Sequence, residues 1–203
     1  MIGILDYGIG NVGAFQRIFH SQNIKSISVN APSDFKKISK IIIPGVGAFD
    51  GAMKALNESG LRDNLDRFAL EQKRPVVGIC IGMHMLGNHS EEGSLEGLGY
   101  IKGYTKILDR KSDMNILLPH MGWNDIIVEK EKIWTGIDLQ QGFYFLHSYC
   151  FIPEQQEDTI GKSEYSEEFS CAVKSKSVYG FQFHPEKSLA NGIQLLKNIH
   201  EYL

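Results

Sequence analysis

The sequence predicts an α/β protein with a mainly parallel sheet covered by helices on both faces. In the first half, short apolar runs alternate with segments whose apolar residues recur at helical spacing, and this alternation is typical of parallel sheets. Beyond Gly99 the apolar segments are shorter and strand-like, which indicates an antiparallel portion in the second half. No repeat or linker-like composition divides the 203 residues, so we expect one domain over residues 1–203.

Each expected element rests on a local pattern. Apolar runs that stop at turn residues predict strands, as in the run KIII before Pro44. Apolar side chains three and four positions apart predict helices, and Gly60 is expected to interrupt the longest of them. The expected strands are 2–6, 24–30, 40–44, 75–80, 124–128, 142–151, 170–173 and 180–184, and the expected helices are 14–22, 52–72 and 190–202.

Composition and charge exclude several classes of function. The formal net charge is -3, and the lysines and arginines are spread along the chain. Nucleic acid and anionic membranes are therefore not expected as partners. No apolar stretch reaches the ~18 residues of a membrane span, and the opening MIGILDYGIG lacks a basic leader. We therefore expect a soluble, cytoplasmic protein.

Neither a metal nor an organic cofactor is indicated. The three cysteines are an odd number without CxxC spacing, so the sequence indicates neither a disulfide framework nor a zinc site. The segment from Gly8 to Gly13 fits GxGxxG, but a dinucleotide site also needs an acidic residue about 20 positions further on. The second expected strand ends instead at Asn30. We interpret the glycines as those of a tight turn between a strand and a helix.

The nucleophile candidate is Cys80, in the sequence VVGICIGMHML. An apolar strand passes there directly into a stretch of helical spacing, and Gly78 and Gly82 permit the close approach of the chain that a nucleophile elbow requires. A helix N-terminus also favours the thiolate. A lone cysteine is more often buried and inert, and we keep that interpretation for Cys150 and Cys171, which lack such glycines.

The base candidate is His184, in the sequence FQFHPE. A strand-like run ends at this histidine, and Glu186 can accept a hydrogen bond from the far ring nitrogen. Because reactive loops gather at the carboxyl ends of parallel strands, we expect Cys80 and His184 to meet at one edge of the sheet. The three residues would then form a Cys-His-Glu triad, whereas HPE alone would indicate a surface turn.

Acyl transfer also needs donors for the developing oxyanion. The sequence PGVGAF follows the KIII strand at the same edge, and its glycines let backbone N–H groups turn inward. We expect the N–H of Val46 or Gly47 to act together with that of Ile81. The alternative is a loop before a helix with no catalytic part.

Seven segments, taken in order, are similar to those of one family. They are DYGIGN (6–11), PGVGAF (44–49), GICIGM (78–83), SEEG (90–93), PHMGWN (119–124), YFLHSY (144–149) and HPEKS (184–188). Over nearly the full chain they resemble the glutamine amidotransferase subunits of imidazole glycerol phosphate synthase. The resemblance implies a flavodoxin-like, three-layer αβα fold and a class I glutaminase that releases ammonia from glutamine through a cysteinyl thioester.

The resemblance also implies roles for individual residues. The family's nucleophile, base and orienting acid fall on Cys80, His184 and Glu186. Its substrate contacts fall on Gly45, His84, His147, Ser148 and Tyr149, and its partner surface falls on Asn11, Pro119, His120, Met121, Gly122, Trp123 and Asn124. The implied partner is a cyclase subunit, a (βα)8 barrel that receives ammonia through a tunnel. The heterodimer would make imidazole glycerol phosphate and 5-aminoimidazole-4-carboxamide ribotide in histidine biosynthesis.

The main departure from the family is His84, where the family usually has glutamine four residues after the nucleophile. An imidazole offers one donor and one acceptor and replaces only part of a carboxamide. We therefore expect weaker glutamine binding that varies with pH as the imidazole titrates near neutrality. The alternative is a histidine with a merely structural hydrogen bond. In a smaller departure, Asp50-Gly51 stands where the family tends to read Gly-Asp.

Two other functions stay open on the sequence alone. The same glutaminase chemistry could serve a different synthase, such as one that aminates a sugar for surface polysaccharide. The chain could also be an inactive scaffold that only binds its partner, although the intact Cys, His and Glu count against this. Neighbouring genes would distinguish histidine biosynthesis from service to a different synthase, because a histidine operon and a sugar-nucleotide cluster contain different genes.

Overall fold

The structure, a computed structural model, describes residues 1–109 and 117–203. Its α-helices are α1 (Val12–Ser21), α2 (Phe49–Glu58), α3 (Arg62–Asp66), α4 (Ile81–Met85) and α5 (Leu189–Tyr202). Its strands are β1 (Ile2–Leu5), β2 (Ser26–Val29), β3 (Lys40–Gly45), β4 (Val76–Cys80), β5 (His89–Ser90), β6 (Gly103–Ile107), β7 (His120–Asn124), β8 (Ile127–Val128), β9 (Phe143–His147), β10 (Tyr149–Pro153), β11 (Thr159–Glu164), β12 (Glu168–Ser175) and β13 (Val178–Phe181). None of the described helices is long and apolar enough to cross a membrane.

Within the described ranges, eleven strands form one sheet with a parallel and an antiparallel half that meet at β13. The main path runs β2-β1-β3-β4-β13-β12-β10-β6-β5, while β11 pairs with β12 and β8. Pairing is parallel from β2 to β13 and antiparallel from β13 to β6. Strands β7 and β9 form a separate antiparallel ribbon. The predicted α/β fold with an antiparallel portion in its second half is confirmed.

The central strands of the parallel half are buried on both faces. All residues of β3, β4 and β13 are buried, as expected for strands that are covered by helices on each side. Helix α1 contacts α5, and α2 contacts α4, so two pairs of helices cover the sheet. The carboxyl ends of β3, β4 and β13 therefore open side by side at one edge, where the catalytic candidates lie.

Several predicted boundaries need correction. The predicted strand 124–128 is wrong because β7 ends at Asn124, whose side-chain oxygen accepts the N–H of Asp125 at 2.8 Å. The predicted strand 142–151 is divided at Ser148 into β9 and β10. Strand β13 ends at Phe181, so His184 lies beyond the strand. The expected break at Gly60 is confirmed, since this residue has φ 73° between α2 and α3.

Glycine allows the chain to fold back tightly where β4 passes into α4. A Cβ atom added at Gly82 would collide with the carbonyl oxygen of Ile43 in β3, and one added at Gly78 would collide with the carbonyl oxygen of Gly82. At Gly45 an added Cβ would lie 2.5 Å from the backbone nitrogen of Gly82. Backbone atoms of buried strands cannot easily give way, so larger residues are excluded from this corner.

Gly82→Ala is therefore expected to lower the free energy of unfolding by about 1–3 kcal/mol or more. The matched control is Gly51→Ala in α2, where nothing lies within 4 Å of an added Cβ. There alanine is expected to stabilise the protein by up to about 1 kcal/mol through its higher helix propensity. Urea unfolding of both variants measures the difference, and wild-type stability in Gly82→Ala would contradict the close approach.

Candidate active site

Cys80 has a strained backbone at the corner between β4 and α4. Its φ is 54° and its ψ is -112°, a conformation that L-residues rarely adopt. Such outliers persist only where the surroundings impose them, and they cluster at active sites. The Sγ atom lies 3.7 Å from the carbonyl oxygen of Leu146 in β9. The strand-to-helix corner expected from the sequence is thus present.

His184 and Glu186 form a buried hydrogen-bonded pair. Nδ1 of His184 lies 2.8 Å from Oε1 of Glu186, and the two side chains are 3% and 6% exposed. The backbone fixes the histidine as well, because its N–H donates to the carbonyl of Tyr144 at 2.9 Å and its carbonyl accepts the Ser188 hydroxyl at 2.6 Å. Because the Glu186 carboxylate accepts at Nδ1, Nε2 is left to face the cavity that Cys80 also lines.

The electrostatics favour a protonated His184. Burial by itself lowers the pKa of this imidazole, but hydrogen bonds to Cys80 and Glu186 and the negative charges of both groups outweigh it and raise the pKa to about 10. At neutral pH the imidazolium therefore lies beside the nucleophile with a proton to give. A thiolate and an imidazolium are the two partners that acyl transfer by cysteine requires.

The other two thiols are in a different environment. Cys150 and Cys171 are fully buried in the sheet. Burial raises the pKa of both thiols, that of Cys150 to about 12. Both are therefore expected to stay protonated and inert.

Cys80 and His184 open into a cavity of about 260 Å³. This volume is below the range typical of drug-sized ligands and suits a small molecule. The lining residues are Val46, Gly47, Cys80, Ile81, His84, Glu92, Pro119, Leu146, His147, Ser148, Tyr149 and His184. A larger groove of about 660 Å³ lies near Arg17 and His20 but is not lined by any of the catalytic candidates.

The residues predicted to stabilise the oxyanion lie around this cavity. The β3–β4 register pairs Gly45 with Cys80, so the loop that begins at Val46 starts beside the nucleophile. Gly47 has φ 88°, a conformation that favours glycine. Ile81 is the first residue of α4, where backbone N–H groups have no intrahelical partner. Gly45 itself packs against Ile81 and Gly82 and shapes the corner, but it is not among the lining residues.

Sequence reasoning missed Glu92 as a lining residue. Its carboxylate accepts the N–H of Phe49 at 3.0 Å, and burial raises its pKa. In return, the Asp50 carboxylate accepts the N–H groups of Ser94 and Leu95, each at 3.0 Å. These reciprocal bonds hold Glu92 at the cavity. The only sequence signal was its place in the SEEG segment, because neither periodicity nor spacing relates residue 92 to residue 49.

The two ring nitrogens of His84 are both directed away from solvent. Nε2 lies 2.8 Å from Oε1 of Gln182, and Nδ1 is buried without a hydrogen-bond partner among the described residues. Burial lowers the pKa of this imidazole to about 4, although the bond to Gln182 opposes the shift. The expected titration near neutral pH is therefore wrong, because His84 stays neutral well below that range.

His147 belongs to a chain of hydrogen bonds behind the cavity. Its Nδ1 donates to the Tyr149 carbonyl at 2.8 Å, and its Nε2 lies 3.0 Å from Nδ1 of His120. His120 Nε2 lies 3.2 Å from the side-chain nitrogen of Asn124. A carbonyl only accepts, so Nδ1 of the neutral His147 ring carries the proton and its Nε2 accepts from Nδ1 of His120. Nε2 of His120 then accepts from the side-chain nitrogen of Asn124. Burial lowers the pKa of both histidines, so both are neutral.

The predicted partner surface is divided between two faces of β7. His120 is 2% exposed and points inward, so its direct contact with a partner does not fit the structure. Met121 and Trp123 are 66% and 48% exposed and lie on the outer face, with Gly122 between them. Trp123 packs edge-on against Tyr144 with ring centroids 6.4 Å apart.

The remaining predicted partner residues lie at the margins of this outer face or elsewhere. Pro119 is exposed, follows a cis peptide bond and also lines the cavity. Asn124 directs its side chain to His120 and to the Glu164 carbonyl. Asn11 is exposed and caps α1, because its side chain accepts the N–H of Ala14 at 3.0 Å.

Comparisons with known proteins give matches over nearly the full chain. Residues 4–201 match the family model described as glutamine amidotransferase class-I. The chain is 44% identical over 203 residues to imidazole glycerol phosphate synthase subunit HisH of Bdellovibrio bacteriovorus, covering 99% of this chain and 100% of the relative. It is 43% identical over 200 residues to the same subunit of Leptospira borgpetersenii, covering 98% of each.

A likeness to solved structures extends the agreement to the fold. The structure described as PurLQS from Thermotoga maritima matches with a TM-score of 0.71 and 17% sequence identity, covering 99% of this chain and 97% of that one. The strained cysteine, the buried histidine–glutamate pair and the full-length matches lead to one assignment: the chain belongs to the class I glutamine amidotransferases, and within them to the family of the imidazole glycerol phosphate synthase subunit HisH.

Proposed function

We propose that this protein is the glutaminase subunit of imidazole glycerol phosphate synthase, and that Cys80, His184 and Glu186 are its catalytic triad. The observation that carries the proposal is the 2.8 Å pair of His184 and Glu186 in the cavity that Cys80 also lines. Full-length similarity to HisH subunits supports the assignment to this synthase.

The triad accounts for both halves of glutamine hydrolysis. The Cys80 thiolate attacks the side-chain amide carbon of glutamine, and the carbonyl oxygen takes the negative charge. As that intermediate collapses, the His184 imidazolium gives its proton to the leaving nitrogen, which departs as ammonia, and a thioester remains. The neutral imidazole then removes a proton from water and becomes the imidazolium again, and the hydroxide attacks the thioester. The C–S bond breaks, which restores the Cys80 thiolate and releases glutamate after its new carboxyl group loses a proton to solvent. Glu186 stabilises the imidazolium and keeps Nε2 directed at the sulfur.

The other lining residues suit the two ends of glutamine. Backbone N–H groups of Val46, Gly47 and Ile81 are the proposed donors to the oxyanion. The segment from His147 to Tyr149 is proposed to hold the amino-acid end through its backbone, because both His147 ring nitrogens are already bonded. The Glu92 carboxylate offers a partner for the substrate ammonium.

A second subunit is proposed to receive the ammonia. The outer face of β7 exposes Met121 and Trp123, two residue types enriched at protein interfaces. We propose that a cyclase subunit, a (βα)8 barrel, docks on this face in a heterodimer. Ammonia then leaves the cavity beside Pro119, which lines it and precedes β7 by one residue.

Cys80→Ala is expected to abolish ammonia release while leaving the fold intact, because the nucleophile is removed from a site where alanine fits. An electrophilic glutamine analogue should label Cys80 in the folded wild type and spare the two buried thiols. Cys150→Ala is the matched control and should be labelled as the wild type is. Mass spectrometry of tryptic peptides locates the label. Equal labelling of all three cysteines would contradict an activated Cys80.

The ionisation of the histidines can be measured by NMR of 15N-labelled imidazole nitrogens, assigned with His184→Gln. The pKa of His184 is expected to be about 10 instead of its ordinary value of 6.5, so this ring stays protonated until the pH approaches 10. The pKa of His84 is expected to be about 4, so that ring stays neutral down to about pH 4. Cys80→Ser and Glu186→Gln should each lower the His184 midpoint, because each removes a group that stabilises the imidazolium. A wild-type His184 midpoint near 6.5 would rule out the ion pair.

Trp123→Ala is expected to raise the Kd for the cyclase subunit about tenfold or more, with little change in thermal stability because the indole is half exposed. Ile127→Ala is the control, since Ile127 is 74% exposed on β8, in the other sheet. Calorimetric titration gives both Kd values. Glutamine hydrolysis should also rise when partner and acceptor are added, and an unchanged rate would count against the proposed partner.

A further inference from the structure

A buried hydrogen bond joins the segment after the nucleophile to the segment before the base. His84 lies four residues after Cys80 in α4, and Gln182 lies two residues before His184, directly after β13. Nε2 of His84 and Oε1 of Gln182 are 2.8 Å apart. His84 is 1% exposed and Gln182 is 0% exposed, so water does not compete for this bond.

Sheet register places this bond directly behind the catalytic residues. Strands β4 and β13 are parallel neighbours, and Phe181 pairs with Ile79. The next residues along the two strands are Gln182 and Cys80. Helix α4 has only five residues, so its own hydrogen bonds fix its orientation weakly. A side-chain bond from α4 to the β13 segment therefore limits how far the two can shift relative to each other.

Stability alone does not account for this polar pair. Nδ1 of His84 and Nε2 of Gln182 are both buried and lack partners among the described residues. A buried polar atom without a partner costs about 1–3 kcal/mol, and apolar replacement of both members of a neutral hydrogen-bonded pair can be nearly neutral or stabilising. Each buried polar atom of this kind in a native protein calls for an explanation, and a role in positioning the catalytic residues supplies one.

The same contacts remove His84 from direct substrate binding. Its Nε2 is bonded to Gln182, and its Nδ1 has almost no accessible surface. Only the carbon edge of the ring is left to line the cavity. The imidazole can thus act on the reaction through the position of its neighbours in the chain, and not as a hydrogen-bonding ligand of glutamine.

We propose that the His84–Gln182 hydrogen bond sets the position of Cys80 relative to His184, so that both residues are positioning residues for glutamine hydrolysis. The inference rests on the proposed function. Catalytic groups must be held within a fraction of an ångström, and a shift of about 1 Å can cost on the order of 10²-fold in rate. A hydrogen bond depends on the distance and the angle between its two atoms, so it fixes the position of α4 relative to the segment after β13 more closely than an apolar contact does.

The test compares activity and stability in the full chain. The double variant His84→Leu, Gln182→Met removes the bond and both unsatisfied atoms. We expect its Tm to equal or exceed that of the wild type, its kcat for glutamine to fall about tenfold or more, and its KM to stay within about threefold. In addition, each single variant should lower kcat about as much as the double variant does, because either change breaks the same bond.

Two further variants serve as controls. His84→Gln keeps an amide that can bond to Gln182, and its kcat should stay within about threefold of the wild type. Asn198→Leu removes another fully buried polar side chain, which donates to the Ile133 and Thr135 carbonyls, and none of these three residues lines the cavity. Its Tm should fall while kcat and KM stay unchanged, which separates loss of stability from loss of positioning.

Wild-type kcat in the double variant would overturn the inference. So would a large rise in KM at constant kcat, because that result would make His84 a ligand of glutamine. A fall of kcat strictly in step with Tm across all variants would likewise assign the pair a structural role only. Failure of the proposed function gives a different result, namely glutamine hydrolysis that survives Cys80→Ala.

Discussion

The backbone conformation of Cys80 is the constraint on which the rest of the site depends. A residue with φ 54° costs on the order of 1–3 kcal/mol, and the surrounding structure must impose it. Here the buried strand β4 fixes the residue from one side, while glycines at 78 and 82 allow α4 to pack against β3 from the other. This conformation directs the thiol out of the sheet toward β9 and His184, and the residues that line the cavity surround the thiol.

Electrostatics then divide the histidines near the cavity into two groups. His184 is next to Cys80 and Glu186, and its hydrogen bonds to both groups, together with their charges, outweigh the effect of burial and raise its pKa to about 10, which keeps it protonated. His84, His120 and His147 are buried without such partners, so burial keeps them neutral. This division matters because a glutamine substrate brings its own ammonium group. A single positive charge beside the sulfur supports the reaction, while further charges would repel the substrate.

The β7–β9 ribbon connects the cavity with the surface. Strand β7 points His120 inward to the hydrogen bond with His147 and points Met121 and Trp123 outward. The same register pairs Met121 with Leu146, whose carbonyl oxygen lies near the Cys80 sulfur. A five-residue strand therefore contributes to the proposed docking surface on one face and, through His120, supports the cavity-lining His147 on the other, because side chains alternate along a strand.

Local patterns in the sequence determined the fold class and the catalytic candidates. The alternation of apolar runs and helical spacing predicts the sheet, the glycines around Cys80 predict the elbow, and the two-residue spacing from His184 to Glu186 predicts their pairing. Each of these signals lies within a short segment. Backbone propensity and steric limits act over a few residues, so they can be read without knowing the fold.

Only the tertiary structure decided how distant segments meet. The bond from His84 to Gln182 spans 98 residues, and the one from Phe49 to Glu92 spans 43, so no local pattern relates the partners. The inward direction of His120 and the division of the predicted strand at Ser148 also depended on which surfaces other strands cover. The physical reason is that burial and hydrogen-bond partners are properties of the packed chain. The sequence placed His84 one helical turn after Cys80, but only the packing showed that its ring is bonded to Gln182 and kept neutral by burial.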